Sequence, residues 1–237
     1  MNSVSITGGK SLKGEVIPQG AKNEALQILC AVLLTDDKVT INNIPDIIDV
    51  NKLIDILKSL GVVCSDLKNG SYEFSAKSIN LDYLNSEEFI LYAKSLRGSI
   101  MLVGPLLARY NTASIPRPGG DKIGRRRLDT HFVNLEKLGA KLDYDSKNRI
   151  YNVKTNGLVG ADLLLDEASV TGTANLIMAS VLAEGNTVIY NAACEPYIQQ
   201  LCSLLVKMGA NIKGIGSNLL TISGVKKLNG ANHTILP

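Results

Sequence analysis

The sequence predicts an α/β fold: an inside-out, barrel-like domain of three βαβαββ repeats arranged about a pseudo-threefold axis. Two observations carry this. First, one unit recurs three times, a small-residue and aliphatic helix, a β-branched strand, a second amphipathic helix, and a Leu-Gly or Met-Gly turn into another strand. Gly61, Gly139 and Gly209 hold equivalent places, 78 and 70 residues apart by number, which exceeds a solenoid period and fits a βαβαββ unit. Second, the leading helix of each copy, such as Ala25 to Leu34, is apolar on nearly every side. A helix of that kind belongs in the interior, so central helices surrounded by sheet are expected.

The elements follow in chain order. Met1 to Val16 contains the strand-like pieces VSITGG and GEV outside the repeat frame, and residues 1–19 are expected to pair with a second domain absent from this chain. Residues 20–228 form the three-repeat domain. Copy one runs from KNEALQILCAVLLTDDKVTI to LIDILKSLGVVCSDL, and its second helix presents Leu53, Ile54, Leu57 and Leu60 as one stripe. Copy two runs from LRGSIMLVGPLLARYNTASI to FVNLEKLGAKLDYD, and copy three from TGTANLIMASVLAEGNTVIY to LCSLLVKMGANIKGI. Each second helix ends at its Gly, where a left-handed C-cap is favoured. Residues 229–237 are expected to cross over to the absent domain.

Copy two is longer than the others. From Leu33, Leu107 and Leu182 to the following Gly the copies span 28, 32 and 27 residues. The extra length lies in PRPGGDKIGRRRLDTH, Pro116 to His131. Five cations (Arg117, Lys122, Arg125, Arg126, Arg127) and one anion (Asp121) give this loop +4, against +3 for the whole chain, so the remainder is near −1. A field that strong on a Gly-rich loop suits a multiply anionic ligand. Asp121 is then either a salt-bridged structural group or a proton donor or acceptor beside a bound anion. The helix starts at Lys22-Asn23, Arg97-Gly98-Ser99 and Ser169 to Thr173 are all polar or cationic. Ordinary N-capping explains each singly, whereas three equivalent ends meeting one basic loop favour an anion site.

Other function classes find little support. Cys30, Cys64, Cys194 and Cys202 have no CxxC spacing, and with only two His neither a zinc site nor a disulfide framework is indicated. No basic leader followed by an apolar segment opens the chain, and no apolar run reaches membrane length, so a soluble cytoplasmic protein without a membrane partner is expected. A net charge of +3 is too small to argue for nucleic acid.

The segments GAKNEAL (Gly20 to Leu26), SLRGSIMLVGPLLAR (Ser95 to Arg109), PGGDKIGRRRLDTH (Pro118 to His131), LEKLGA, DEASVTGT (Asp166 to Thr173) and NAACEP are specific in combination. Over essentially its whole length the chain resembles the N-terminal half of the UDP-N-acetylglucosamine 1-carboxyvinyltransferases, the enolpyruvyl transferase family that opens peptidoglycan synthesis. The family's chains are nearly twice as long, so the resemblance implies a fragment. The related shikimate-branch enzymes carry a GDKS-type motif where this chain has Gly20-Ala21-Lys22-Asn23, which favours the sugar-nucleotide branch.

Carried over by position, the resemblance implies that Lys22 contacts phosphoenolpyruvate, that Asn23 binds substrate, and that Arg97 and Arg126 hold substrate anions. Arg126, Arg127, Leu128, Asp129 and Thr130, with Glu167, Ala168, Ser169 and Val170, would line the UDP-sugar. Asp121 stands where most relatives have a Cys that protonates C3 of the enolpyruvyl group and some have Asp. It is expected to act as the proton donor, with Lys22 and Arg126 as its catalytic partners, and to confer resistance to fosfomycin, the epoxide that alkylates the Cys. Arg127 and Thr171 depart from the frequent Pro and Gly. The reaction implied is attack of the sugar 3′-hydroxyl on C2 of phosphoenolpyruvate, protonation of C3 and loss of phosphate, without metal or cofactor. The remaining base and anion ligands would come from the second domain. The competing readings are enolpyruvyl transfer to shikimate 3-phosphate and a non-catalytic polyanion or RNA-binding module, although the loop lacks interleaved aromatics. His131 and His233 are expected to be structural.

Overall fold

The computed structural model describes residues 3–119 and 127–237. The first unit comprises α1 (Lys22–Ala31), β1 (Val39–Asn42), α2 (Ile48–Ser59) and the hairpin β2 (Val63–Lys68) and β3 (Ser71–Ser75). The second has an added helix, α3 (Glu87–Ser95), then a 3-10 segment Arg97–Leu102 running into α4 (Val103–Tyr110), β4 (Thr112–Pro116), α5 (Asp129–Lys137), β5 (Lys141–Asp145) and β6 (Ile150–Lys154). The third is β7 (Asp162–Leu164), α6 (Val170–Ser180), β8 (Asn186–Tyr190), α7 (Pro196–Lys207), β9 (Asn211–Lys213) and β10 (Leu219–Ser223), followed by β11 (Asn232–Thr234).

The strands form one sheet per unit, in the orders β11-β1-β3-β2, β4-β6-β5 and β7-β8-β10-β9. Only the third unit has the full βαβαββ order in continuous chain, with β7 parallel to β8. The first unit receives its parallel strand from the other end of the chain, where β11 pairs with β1 (Ile41↔His233), closing the ring of repeats. This strand lies within 229–237. In the second unit no parallel strand is found among the described residues, and the 3-10 turn Leu81–Asn85 packs on β4 instead.

The inside-out arrangement is borne out. In α1 every residue from Glu24 to Ala31 is buried, and in α6 every residue from Gly172 to Ser180. The outer helices α2, α5 and α7 bury only one face. The three glycines terminate these outer helices identically. Gly61, Gly139 and Gly209 have φ of +100°, +95° and +104°, and the next amide returns to the helix in each case: Val62 N–H to Leu57 O, Ala140 N–H to Leu135 O and Ala210 N–H to Leu205 O.

Two segments lack the regular structure of the repeats. Residues 3–19 form no strand within this domain, and Val4, Ile6, Leu12 and Val16 are 85–98% exposed. A strand needs a ladder partner, and none among the described residues accepts this segment. The leading helix of copy two is also not continuous. Pro105 has no N–H to donate to the preceding turn, so the chain enters α4 through a 3-10 segment.

Candidate active site

The N-terminal ends of the three inner helical segments meet at one cavity of about 410 Å3. Lys22 and Asn23 come from α1, Arg97 and Gly98 from the start of the 3-10 segment, and Val170 and Thr171 from α6. The free amides of a helix's first turn and its dipole favour negative charge there. Two cationic side chains of different kind add to this, Lys22 as a point charge and Arg97 as a planar fork. Lys22 Nζ lies 2.5 Å from Oδ2 of Asp49, in the first turn of α2; both side chains are partly exposed, so the pair can open to a ligand at little cost. Gln27 also lines the cavity, itself buried, and its Oε1 has no partner among the described residues.

Behind this wall runs a buried polar chain linking copies two and three. Asn175 of α6 accepts the Gly104 N–H at Oδ1 (2.8 Å) and donates from Nδ2 to the Ile100 carbonyl (2.8 Å) and toward Nδ1 of His131 (3.0 Å). A Cβ on Gly104 would fall 2.3 Å from the Asn175 carbonyl oxygen, so only Gly allows α4 and α6 to approach this closely. The other ring nitrogen of His131, Nε2, lies 3.3 Å from Oγ1 of Thr171. Burial, then the positive charge of Arg97, pushes the His131 pKa down to about 4, keeping the ring neutral.

The basic loop is anchored at both described ends. Gly119 donates to the Lys94 carbonyl (2.9 Å), where a Cβ would sit 2.2 Å from that oxygen, which places the loop's start beside Ser95 and Arg97. At the other end Arg127 bridges two carboxylates, Asp129 at 2.5 Å and Asp166 at 2.6 Å. The hydrogen bond and charge of Asp129, with Asp166, hold the guanidinium above its ordinary range, and Arg127 in turn holds Asp129 below the usual carboxylate range. Next to this cluster, Thr130 and Asn134 line a smaller hollow of about 210 Å3 with Oγ1 and Oδ1 unpartnered among the described residues.

A family model for EPSP synthase (3-phosphoshikimate 1-carboxyvinyltransferase) matches residues 6–237. The chain belongs to this family. Among curated relatives it is 57% identical over all 237 residues to the UDP-N-acetylglucosamine 1-carboxyvinyltransferase of Bacteroides fragilis (strain NCTC 9343), covering 55% of that protein. It is 58% identical to that of Bacteroides thetaiotaomicron, again over 100% of this chain and 55% of the relative. With that of Borreliella burgdorferi it shares 50% over 230 residues, 97% of this chain and 52% of the relative. The chain thus spans about half the length of the curated relatives it matches. Solved structures share the fold. The enolpyruvyl transferase NikO from Streptomyces tendae aligns with a TM-score of 0.76 at 16% identity, over 97% of this chain and 53% of its own. EPSP synthase from Acinetobacter baumannii gives 0.72 at 19%, over 96% and 51%.

Within this enolpyruvyl transferase fold the sequence-predicted residues divide into three groups. Lys22, Asn23, Arg97 and Val170 line the large cavity. Ser169 caps α6, its Oγ accepting the Gly172 N–H at 3.2 Å, and Glu167 and Ala168 precede it exposed. Arg127, Asp129 and Thr130 line the smaller hollow, while Leu128 is buried. Asp121 and Arg126 lie outside the described residues. Sequence reasoning passed over Asp49, Gln27 and Tyr197 in the cavity wall and gave His131 no place near it. The spacing of Asp49 and Tyr197, each in the first turn of an outer helix, was the signal available.

Proposed function

We propose that this chain is the part of a UDP-N-acetylglucosamine 1-carboxyvinyltransferase that gathers phosphoenolpyruvate and UDP-N-acetylglucosamine, acting in the cytoplasm in the first committed step of peptidoglycan synthesis. The observation that carries the reading is the convergence of Lys22, Asn23 and Arg97 with the α6 N-terminus on one cavity, in a chain 57% identical to enzymes of that name. Lys22 and Arg97, joined by Arg126, neutralise phosphate and carboxylate oxygens. The hollow lined by Arg127, Thr130, Asn134 and Asp166 would take part of the sugar nucleotide, with Glu167 to Val170 running from Asp166 to the cavity that holds the phosphates.

In the reaction the sugar 3′-hydroxyl adds to C2 of phosphoenolpyruvate while Asp121 delivers a proton to C3. Phosphate then leaves from C2 as the C3 proton is lost, restoring the double bond. Asp121 stands in sequence among cations that favour its charged form, so it must regain a proton once substrate charge offsets them. No cofactor is called for. Turnover requires the additional half that the curated relatives possess, including the base that deprotonates the sugar hydroxyl.

Calorimetric titration tests this reading. The 237-residue chain is expected to bind UDP-N-acetylglucosamine saturably without releasing phosphate from phosphoenolpyruvate. Preference for shikimate 3-phosphate would move the assignment to the other branch, and salt-steep binding of random RNA with no affinity for either small acceptor would overturn it.

A further inference from the structure

Orientation of the Asn175 amide is fixed by backbone on both sides: its oxygen takes the Gly104 N–H and its nitrogen gives one hydrogen to the Ile100 carbonyl. The second Nδ2 hydrogen therefore points at His131, whose Nδ1 must be an acceptor. A neutral imidazole with a bare Nδ1 carries its hydrogen on Nε2, so His131 donates to Oγ1 of Thr171 rather than accepting from it. Protonation would set an Nδ1–H against the Asn175 N–H, and the depressed pKa of the ring agrees with that exclusion. Among the described residues the Thr171 hydroxyl has no other hydrogen-bond partner. One of its two lone pairs is occupied, its own hydrogen is uncommitted among the described residues, and the residue lines the cavity with Lys22 and Arg97.

We infer that Thr171 is a specificity-determining ligand contact, its hydroxyl donating to a phosphate oxygen held between Lys22 and Arg97, with His131 as the positioning residue that turns it. This rests on the function proposed above and extends it to a side chain that a Gly at the same place would lack. A polar–polar relay anchored in two backbone groups fixes the hydroxyl before ligand arrives, so little rotamer freedom is lost on binding. The phosphate belongs either to phosphoenolpyruvate or to the diphosphate of the sugar nucleotide.

Two measurements on the 237-residue chain decide the matter. In long-range 1H–15N spectra of the ligand-free chain, His131 is expected as the Nε2–H tautomer, unprotonated at pH 6; an Nδ1–H tautomer overturns the inference. Calorimetry with UDP-N-acetylglucosamine and, separately, phosphoenolpyruvate is then run on wild type, Thr171→Val and Thr171→Ser. The Val variant is expected to bind one of the two ligands about tenfold more weakly at an unchanged melting temperature, and that ligand identifies the phosphate. Ser, which keeps the hydroxyl, is expected to stay within about twofold of wild type. Ligand should also shift the His131 Nε2 resonance in wild type and not in Thr171→Val. Equal affinity of wild type and Val for both ligands overturns this inference alone, as does a Ser variant as weak as Val. Failure of wild type to bind either ligand overturns the proposed function and this inference with it.

Discussion

The chain's two histidines are equally buried, at 1% and 2% exposure, and have opposite company. His131 sits in a chain of neutral dipoles, between the Asn175 amide and the Thr171 hydroxyl. His233, carried inward by β11, faces a carboxylate: its Nε2 lies 2.9 Å from Oε1 of Glu24, which also accepts the Leu236 N–H at 3.3 Å. One histidine joins copies two and three behind the cavity, and the other joins copy one to the strand that closes the ring. The difference teaches that burial alone says little about a histidine, because the groups its ring nitrogens meet decide what its removal would leave unpaired. The largest expected effect breaks the second site. His233→Leu leaves the buried Glu24 carboxyl with the Leu236 N–H as its one donor among the described residues, which should cost on the order of 3–5 kcal/mol in urea unfolding. A loss below about 1 kcal/mol would mean that Glu24 finds water or another donor and that the pairing does not hold the ring closed.

Acidification sharpens the contrast at the first site. The unfolded chain takes up a proton on His131 near pH 6.5, whereas the folded chain does so only near pH 4. Unfolded protein therefore binds more protons between these values. Stability carried by neutral His131 is complete above pH 6.5, declines as pH falls, and is gone below about pH 4, amounting to roughly 3 kcal/mol. The check is a pH series of unfolding free energies for wild type and His131→Phe: the wild-type curve should fall more steeply over this window. Parallel curves would mean that the ring is protonated in place and the Asn175 orientation is wrong.

Sequence legibility follows the same division between repeated and singular features. The repeat glycines and the apolar inner helices were readable because backbone conformation and burial leave direct marks on composition. The convergence of Lys22 and Arg97 was readable because three equivalent helix starts imply one meeting place. What escaped notice depends on single contacts between distant residues. Asn175 reaches Gly104 and His131 across 71 and 44 positions, and no spacing rule connects them. Arg127, counted with the basic cluster, is offset by Asp129 and by Asp166, 39 positions away by number, so its charge is committed to joining two segments of the chain. The terminal segments VSITGG and GEV have strand-like composition but find no strand partner among the described residues, since pairing is a property of two segments.

Lys22 and Arg127 extend the comparison from histidines to ion pairs, and here the expected stability change is smallest. Both cations touch carboxylates at similar distances, 2.5 Å for Lys22 with Asp49 and 2.5 and 2.6 Å for Arg127 with its two partners. Among the described residues Lys22 has one carboxylate partner and opens on the cavity, whereas Arg127 has two and bridges the loop end to the turn before α6. Removing the Lys22 charge should thus leave folding within about 0.5 kcal/mol, because a half-exposed pair contributes little. Binding should respond differently. In Lys22→Met, Asp49 loses its counter-charge at the cavity and faces the incoming anion, so phosphoenolpyruvate affinity should fall by at least tenfold while the urea midpoint stays put. Asp49→Asn, which frees the lysine instead, should hold or raise that affinity. If both variants lose affinity alike, the ion pair is itself the binding unit, and Lys22 acts on the ligand only in the posture Asp49 gives it.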